Sequence, residues 1–305
     1  MYKLITDGTD IMYNSNNLSW SSSEDTLGIQ LTFDTVKDLY EGQVVSLFSD
    51  DKEVIRGIII KKTQGRWTYS YTVQDYSFYL KNKIPVKQFN KSRADDCIKT
   101  LLSEAYIDGN ICSIPTSITE IYRGRSRSEI IDDILDKASK EQGVEYFKEI
   151  QCTTLYIRST EEMKIEPKII LPKDINIESS IENMKNKIYV ISNSSDDNKI
   201  YATSEDSTYQ YWYGVLEDVQ EIDAKNVANA KNIADNILNS SNKIEKSTSF
   251  EAMCLDDCTE IRAHRLIYLK AGARLNGYYK IKNVTHTITK GIHKVNLEIS
   301  WKVNA

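Results

Sequence analysis

The chain has 305 residues, 40% apolar and 27% charged, which supports a packed core in one large domain or in two to three ordinary ones. A net charge of −5 argues against a general nucleic-acid binder, which would show a basic surplus. No stretch approaches the roughly 18 apolar residues of a membrane span, and MYKLITDGTD has no basic segment followed by an apolar one, so neither a membrane segment nor a signal peptide is expected.

Tyrosine is abundant (19) while glycine (12) and proline (4) are scarce, which fits tyrosine-lined strands without long flexible linkers. Five cysteines form no framework. Cys97 falls in a helical pattern, Cys112 and Cys152 are isolated, and Cys254 and Cys258 form a C-x3-C without a second pair. Reduced, structural thiols of a cytosolic protein are expected.

Residues 1 to 90 read as strands. Tyr2 to Ile5 and Ile29 to Phe33 are short apolar segments, and "GQVVSLFSD", a turn at Asp50–Asp51 and "EVIRGIIIKK" follow. In "RWTYSYTVQD", Trp67, Tyr69, Tyr71 and Val73 alternate with Thr68, Ser70, Thr72 and Gln74, the mark of a strand with one buried face. Short strands and tight turns predict a small barrel or sandwich.

Near residue 91 the period changes to 3.6. Ala94, Cys97, Ile98, Leu101, Leu102 and Ala105 share a helical face, with Ser92 as cap and Asp95 three residues on. A second helix is expected after Ser128, with Ile130, Ile131, Ile134, Leu135 and Ala138 on one face and Gly143 as its stop. "VEYFKEI" and "TTLYIRS" then read as a hairpin packed on these helices.

From about Lys185 strands return in "NKIYVIS", "KIYATSED" and "TYQYWYGVLEDV". One helix interrupts them, capped by Asp223, with Val227, Ala230, Ile233, Ala234, Ile237 and Leu238 as its stripe. "STSFEAM", "HRLIYL" and a last hairpin close the chain. The first β region and the last share a pattern: a short strand, a polar turn, a glycine before an apolar strand, and an alternating return. A duplication with an α/β insert between the copies is one reading of it.

The last hairpin can be solved from spacing. With Lys290 and Gly291 at the centre of a two-residue turn, Ile288 pairs with His293, His286 with Val295 and Val284 with Leu297. Tyr279 and Ile281 are then out of phase with Val284, which predicts a bulge near Lys282–Asn283. His286 and His293 become diagonal neighbours, about 7 Å apart between Cα atoms, on the apolar face. Zinc needs three or four ligands and Glu298 points the other way, so the pair is expected to be scaffold, bonded to backbone or water.

Other chemistry is sparse. There is no G-x-S-x-G, no phosphate-binding G-x-x-x-x-G-K-[ST] and no H-E-x-x-H. The acidic doublets Asp50–Asp51, Asp95–Asp96, Asp132–Asp133, Asp196–Asp197 and Asp256–Asp257 fall in turns or on solvated helix faces, where two carboxylates do not face each other across a cleft. No catalytic, cofactor-binding or metal-ligating residue is expected. Two stretches stand out as partner contacts. "YRGRSRSE" carries Arg123, Arg125 and Arg127, suited either to an acidic partner or to a solubilising loop answering Glu120 and Glu129. "TYQYWYGVL" carries Tyr209, Tyr211, Trp212 and Tyr213. Read as a strand, it puts aromatics on both faces, either both covered or one left for a partner.

The order of the pieces resembles the baseplate hub proteins of contractile phage tails and R-type bacteriocins, in particular those of PBSX-like prophages. "GQVVSLFSDDKEVIRGIIIKKTQGRWTYSYTVQDYSFYLKNK" is similar to the family's first barrel, ending in V-x-D-x-x-x-x-L (here Val73, Asp75 and Leu80). "RSRSEIIDDILDKASKEQGVEYF" is similar to its helix-then-hairpin insert. "SIENMKNKIYVIS" is similar to the segment leading into the second barrel, and "LKAGARLNGYYKIKNVTHTITKGIHKVNLEIS" to the closing hairpin.

The resemblance implies a mainly β fold with an α+β insert. It implies two tube-like β-barrel domains at 1–90 and 176–305, a helix-helix-hairpin domain at 91–175, and a helix at about 224–239 inserted in the second barrel. It implies a non-enzymatic homotrimer whose six barrels form a pseudo-six-fold ring between the tail tube protein and the central spike. Tape-measure and other baseplate proteins are further contacts. Such a hub assembles in the host cytoplasm and then stays in the particle. A second reading is a tail-associated peptidoglycan-binding or -hydrolysing protein, with residues 91 to 160 on the glycan.

Overall fold

The fold is taken from a computed structural model, which describes residues 1–160, 163–192, 199–222, 224–272 and 274–301, with 224–226 described by backbone alone. Asp196–Asp197 and the Asp223 cap fall outside the described residues. Strand makes up 52% and helix 19%, so the chain is mainly β, with a curled, half-barrel sheet as its frame.

Seven strands come first: β1 (Tyr2–Thr6), β2 (Thr9–Asp10), β3 (Ser15–Ser23), β4 (Thr26–Thr35), β5 (Val44–Ser49), β6 (Lys52–Gln64) and β7 (Tyr69–Asp75). The alternating apolar residues of these strands form one buried cluster, including Leu31, Phe33, Val45, Leu47, Ile59, Tyr71 and Val73. Asp50 takes a left-handed φ of 51° in the β5–β6 turn, a conformation that aspartate tolerates better than most residues.

The insert follows: α1 (Ser77–Leu80), β8 (Val86–Arg93), α2 (Ala94–Ser103), β9 (Asp108–Ile111), β10 (Ser117–Arg123), α3 (Arg127–Gln142), β11 (Tyr146–Gln151) and β12 (Thr154–Ser159). The expected apolar faces are the buried ones. Cys97, Ile98, Leu101, Leu102, Ile130, Ile131, Ile134, Leu135 and Ala138 share one core with Leu80. β11 and β12 form the expected hairpin, and β9 adds to it in parallel.

The helix starts differ from the expected ones. Ser92 does not cap α2; its hydroxyl donates to Asn90 O, and α2 begins behind Arg93, whose Nε lies 3.0 Å from Asp95 Oδ1. α3 starts at Arg127, before Ser128. Ser126 Oγ accepts from Glu129 N (3.2 Å) while Glu129 Oε2 accepts from Ser126 N (2.7 Å), a full capping box. Gly143 ends α3 at φ 67°, where a Cβ would be strained.

The remaining elements are β13 (Lys164–Ile165), β14 (Ile169–Ile170), β15 (Glu178–Ser180), β16 (Lys187–Ser192), β17 (Ile200–Glu205), α4 (Ser207–Tyr213), β18 (Glu217–Ile222), α5 (Ala230–Ser241), β19 (Glu245–Cys254), β20 (Leu266–Ala271), β21 (Leu275–Thr289) and β22 (Ile292–Trp301). Among the described residues β16, β17 and β18 pair only with one another. The apolar stripe of α5 (Ala230, Ile233, Ala234) covers one face of this small sheet over Ile188, Val190 and Ala202. The inserted helix therefore brings a sheet of its own.

The first and last β regions join into one 14-stranded sheet, whose main path runs β14-β19-β22-β21-β3-β4-β7-β6-β5-β1-β2, with β15 on β19, β20 on β21 and β13 on β20 beside it. β21 makes the junction. Its first part pairs with β20 (Leu269↔Gly277), its second part with β3 (His286↔Trp20), and β22 runs along its other side. The shared sequence pattern has a shared geometry. β5-β6-β7 and β20-β21-β22 are both antiparallel meanders, with a glycine opposite the short strand (Val45↔Gly57, Leu269↔Gly277) and a bulge further along the middle strand (Ile59/Lys61, Ile281/Asn283).

Candidate interaction surfaces

The two histidines sit at the sheet junction. The hairpin register is the one derived from spacing, Ile288↔His293, His286↔Val295 and Val284↔Leu297, with the bulge between Ile281 and Asn283. Lys290 (φ 52°) and Gly291 (φ 78°) both take the left-handed conformation that a two-residue turn of this kind needs. Both imidazoles are buried, His286 to 1% exposure and His293 to 8%.

Their protons are ordered by elimination. Ile261 O can only accept, so His286 Nε2 donates to it (2.7 Å) and His286 Nδ1 is an acceptor. His293 Nε2 donates to that atom (2.9 Å), and His293 Nδ1 accepts from Tyr2 OH (3.0 Å). Trp20 stacks on His286 at 4.5 Å and 7°. Burial drives the pKa of His286 down to about 3, with the neighbouring His293 as second cause, and that of His293 down to about 4. The pair is neutral scaffold that ties the first strand to the last hairpin. Among the described residues no group of three or more His, Cys, Asp or Glu side chains converges as a metal site.

The V-x-D motif is also structural. Asp75 is 2% exposed and accepts from Ile29 N (2.5 Å) and Ser77 N (3.0 Å), closing β7 onto α1 and β4. Burial raises its pKa against those hydrogen bonds.

A buried ion pair fastens the insert to the frame. Arg265 Nη2 lies 2.7 Å from Glu149 Oε1, with the side chains 5% and 11% exposed. Burial by itself would raise Glu149, but Arg265 and then Arg262 hold its carboxyl below the usual range. Arg262 donates to Val54 O (2.8 Å), so the segment before β20 touches both the first β region and the insert. Neither arginine was singled out by motif. The signal available was two arginines set among apolar residues in "EIRAHRLIYL", whose spacing fits no solvated face.

The three arginines of the loop before α3 part ways. Arg127 turns inward, 3.9 Å from Glu104. Arg125 stays half exposed, 3.8 Å from Asp133 and 5.9 Å over the Tyr122 ring. Arg123 ends β10 exposed. The direct contacts of the two carboxylates go elsewhere, Glu120 to Lys137 (3.0 Å) and Glu129 to the capping box, while the charge of Arg125 adds to the lowering of the Glu129 carboxyl.

The aromatic stretch is a helix, which corrects the strand reading. Asp206 caps α4, accepting from Thr208 N (2.9 Å) and Tyr209 N (3.1 Å), and Gly214 (φ 79°) ends it. Strong local cap and stop residues override the strand preference of the aromatics. Tyr209 and Tyr213, four apart, pack at 5.6 Å. Tyr211 (81% exposed) and Trp212 (70%) meet edge-to-face at 5.2 Å and stand in solvent. Val215, Val219 and Ile200 are exposed on the same small unit. Large apolar side chains grouped in solvent mark an interaction surface more often than singly exposed ones do.

Solved structures share this fold over nearly the whole chain. The tail protein from Neisseria meningitidis MC58 superposes with a TM-score of 0.73 at 11% identity, covering 99% of this chain and 96% of that one. The 43 kDa tail protein of prophage MuSo2 from Shewanella oneidensis gives 0.70 at 11% identity, with 98% and 97% covered. The prophage tail protein gp18 from Listeria monocytogenes EGD-e gives 0.62 at 11% identity, with 100% and 95% covered. The fold is thus the one found in prophage tail proteins. The chain belongs to the YQBQ-like family, which matches residues 18–300. Comparison with curated proteins finds no match.

Proposed function

We propose that the chain is a non-enzymatic structural hub of a contractile tail-type particle, a homotrimer that joins the tail tube to the central spike. The observation that carries this reading is the junction of two similar meanders, β5-β6-β7 and β20-β21-β22, in one curled sheet. Three copies would present six such modules. Such a ring matches a six-fold tube on one side and a three-fold spike on the other. On this reading residues 1–90 and 176–305 are the tube-like modules and 91–175 the insert. The protein assembles in the host cytoplasm and remains in the particle, with tape-measure and other baseplate proteins as further neighbours.

The insert carboxylates do not favour a hydrolase. Glu120 and Asp133 are both held by Lys137 at 3.0 Å, and Asp136 by Lys140 at 2.7 Å. The test is the mass of the purified chain by light scattering, alone and mixed with the tube and spike proteins of its own gene neighbourhood. A trimer, formed alone or on mixing, is expected. A chain that stays monomeric and binds neither protein overturns the reading.

A further inference from the structure

Two surfaces of the chain carry charge of opposite sign, and each has a tryptophan standing in solvent, Trp67 on one and Trp212 on the other. The first is the tip of the β6–β7 hairpin. From Val54 to Gln74 the chain holds Arg56, Lys61, Lys62 and Arg66 and no carboxylate. Arg56 is taken by Glu53 and Lys62 by Asp38, which leaves the charge of the tip to Lys61 and Arg66, both exposed. The Arg66 guanidinium lies 5.1 Å over the ring of Trp67, which is 77% exposed. The tip is a fixed shape, because Gln64 pairs with Tyr69 and Gly65 N donates to Thr68 O (2.8 Å).

The second surface is the face of the β16–β18 sheet turned away from α5. Residues 200–222 hold five carboxylates and no cation. In register, Lys187 stands between Glu205 and Glu217, Tyr189 between Thr203 and Val219, and Ile191 beside Glu221. Registered partners share a face and neighbours along a strand alternate. Ile188, Val190 and Ala202 lie under α5, so Glu205, Glu217, Val219 and Glu221 share the other face, and all four are exposed. Lys187 is divided between Glu205 (3.4 Å) and Glu217 (3.8 Å), and this face keeps a negative balance. α4 borders it at the Glu205 end, where Gln210 Nε2 reaches Glu205 Oε2 (3.4 Å), and there Tyr211 and Trp212 stand out.

We propose that the β6–β7 tip of one copy of this chain docks on the acidic sheet face of the next copy. Lys61 and Arg66 then answer Glu217 and Glu221, and Trp67 lies beside the Tyr211–Trp212 pair. Opposite charge fixes the register of such a contact, and Trp, Tyr and Arg are the side chains that most often anchor one. Both halves come from the same chain, so their numbers match in any homo-oligomer. The two surfaces differ, which makes the contact head-to-tail, the kind that closes into a ring. This interface rests on the homotrimer proposed above and names the surfaces that hold it.

The test is charge reversal on the full chain, read as the dissociation constant of the trimer by sedimentation, with the tube and spike proteins added if trimers form only with them. Lys61→Glu with Arg66→Glu, and separately Glu217→Gln with Glu221→Lys, should each weaken the trimer at least about tenfold at low salt and less at high salt. All four changes combined in one chain should restore most of the affinity, which a folding defect in either pair could not do. Carbodiimide cross-linking of mixed isotope-labelled and unlabelled chains should join Lys61 to Glu217 or Glu221 between copies. A trimer unmoved by either reversal, or a combined variant no better than each pair alone, overturns this interface and leaves the trimer standing. A natural-sequence chain that forms no trimer, alone or with the tube and spike proteins, overturns both.

Discussion

His286 Nδ1 and His293 Nε2 lie 2.9 Å apart with one proton between them, and that geometry holds only while His286 is neutral. A second proton would set N–H against N–H in a buried site. Unfolded histidine titrates near pH 6.5, whereas burial takes His286 to about 3 and His293 and His264 to about 4. Between these values the unfolded chain binds more protons than the folded one. The stabilising contribution is therefore complete above pH 6.5 and is lost as pH falls towards 4. The limiting slope is about 4 kcal/mol per pH unit if all three histidines titrate together. Urea unfolding between pH 7 and pH 5 measures it. His264→Phe, which keeps an aromatic against Phe147, should remove about a third of the slope.

Tyr2→Phe tests the proton order. The substitution keeps the ring beside Trp20 but leaves His293 Nδ1 a buried acceptor with no donor. A loss of about 1–2 kcal/mol in denaturant unfolding at pH 7.5 is expected. An unchanged midpoint would mean that Tyr2 is not the donor that closes the chain.

Much of this junction was legible in the sequence, and the reason is local. Lys290–Gly291 fixes the turn, the turn fixes the register, and the register puts both histidines on the apolar face. Their third partner was not legible, because Tyr2 stands 291 positions from His293 and no spacing rule connects them. The same limit hid the Arg265–Glu149 pair, 116 residues apart. It also hid the separate pairing of β16, β17 and β18, whose patterns resemble those of the frame strands. The α4 misreading has another cause. Tyr209, Tyr211 and Tyr213 alternate as in a strand, while the deciding residues, Asp206 and Gly214, lie just outside the aromatic run.

Gly28 should tolerate no side chain. Its φ is 97°, and a Cβ there would lie 2.1 Å from Ser77 Oγ and 2.3 Å from Asp75 Oδ1, the buried carboxylate of the V-x-D motif. Asp75 Oδ1 cannot retreat without breaking its bond to Ser77 N, and Ser77 Oγ cannot without breaking the bond it accepts from Gln74 Nε2. Gly28→Ala should cost about 3 kcal/mol, read as a fall in the thermal midpoint. Gly8→Ala, where a Cβ would meet nothing within 4 Å, should cost less despite its φ of 75°.

The Glu149–Arg265 pair should behave as a buried ion pair, in contrast to Lys294–Glu251 on the surface. Glu149→Ala leaves Arg265 buried beside Arg262 with no carboxylate, and a loss of about 3–5 kcal/mol is expected. Glu251→Ala, whose pair is 48% and 60% exposed, should change stability by less than about 1 kcal/mol. Replacing both buried partners, Glu149→Leu with Arg265→Met, should recover part of the single-variant loss, since Arg265 is then no longer stranded and only Arg262, held by Val54 O, keeps a buried charge without a carboxylate. A double variant as unstable as Glu149→Ala would show that packing, not charge, sets the cost.

Tyr211 and Trp212 separate assembly from folding. They stand 81% and 70% exposed at the end of a helix fixed by Asp206 and Gly214, so the fold does not depend on their rings. Tyr211→Ser with Trp212→Ser should leave the thermal midpoint within a degree or two, as surface changes of under about 0.5 kcal/mol do. If this aromatic pair is a hub contact, the same variant should lower the yield of assembled tails at least tenfold, because exposed Trp and Tyr are the residues that most often anchor an interface. Complementation of a strain lacking the gene, scored by particle counts in electron micrographs, reads the effect. Full assembly by a normally stable double variant would remove this surface from the set of partner contacts. It would leave Arg123 and Arg125, exposed before the start of α3, as the places to look next.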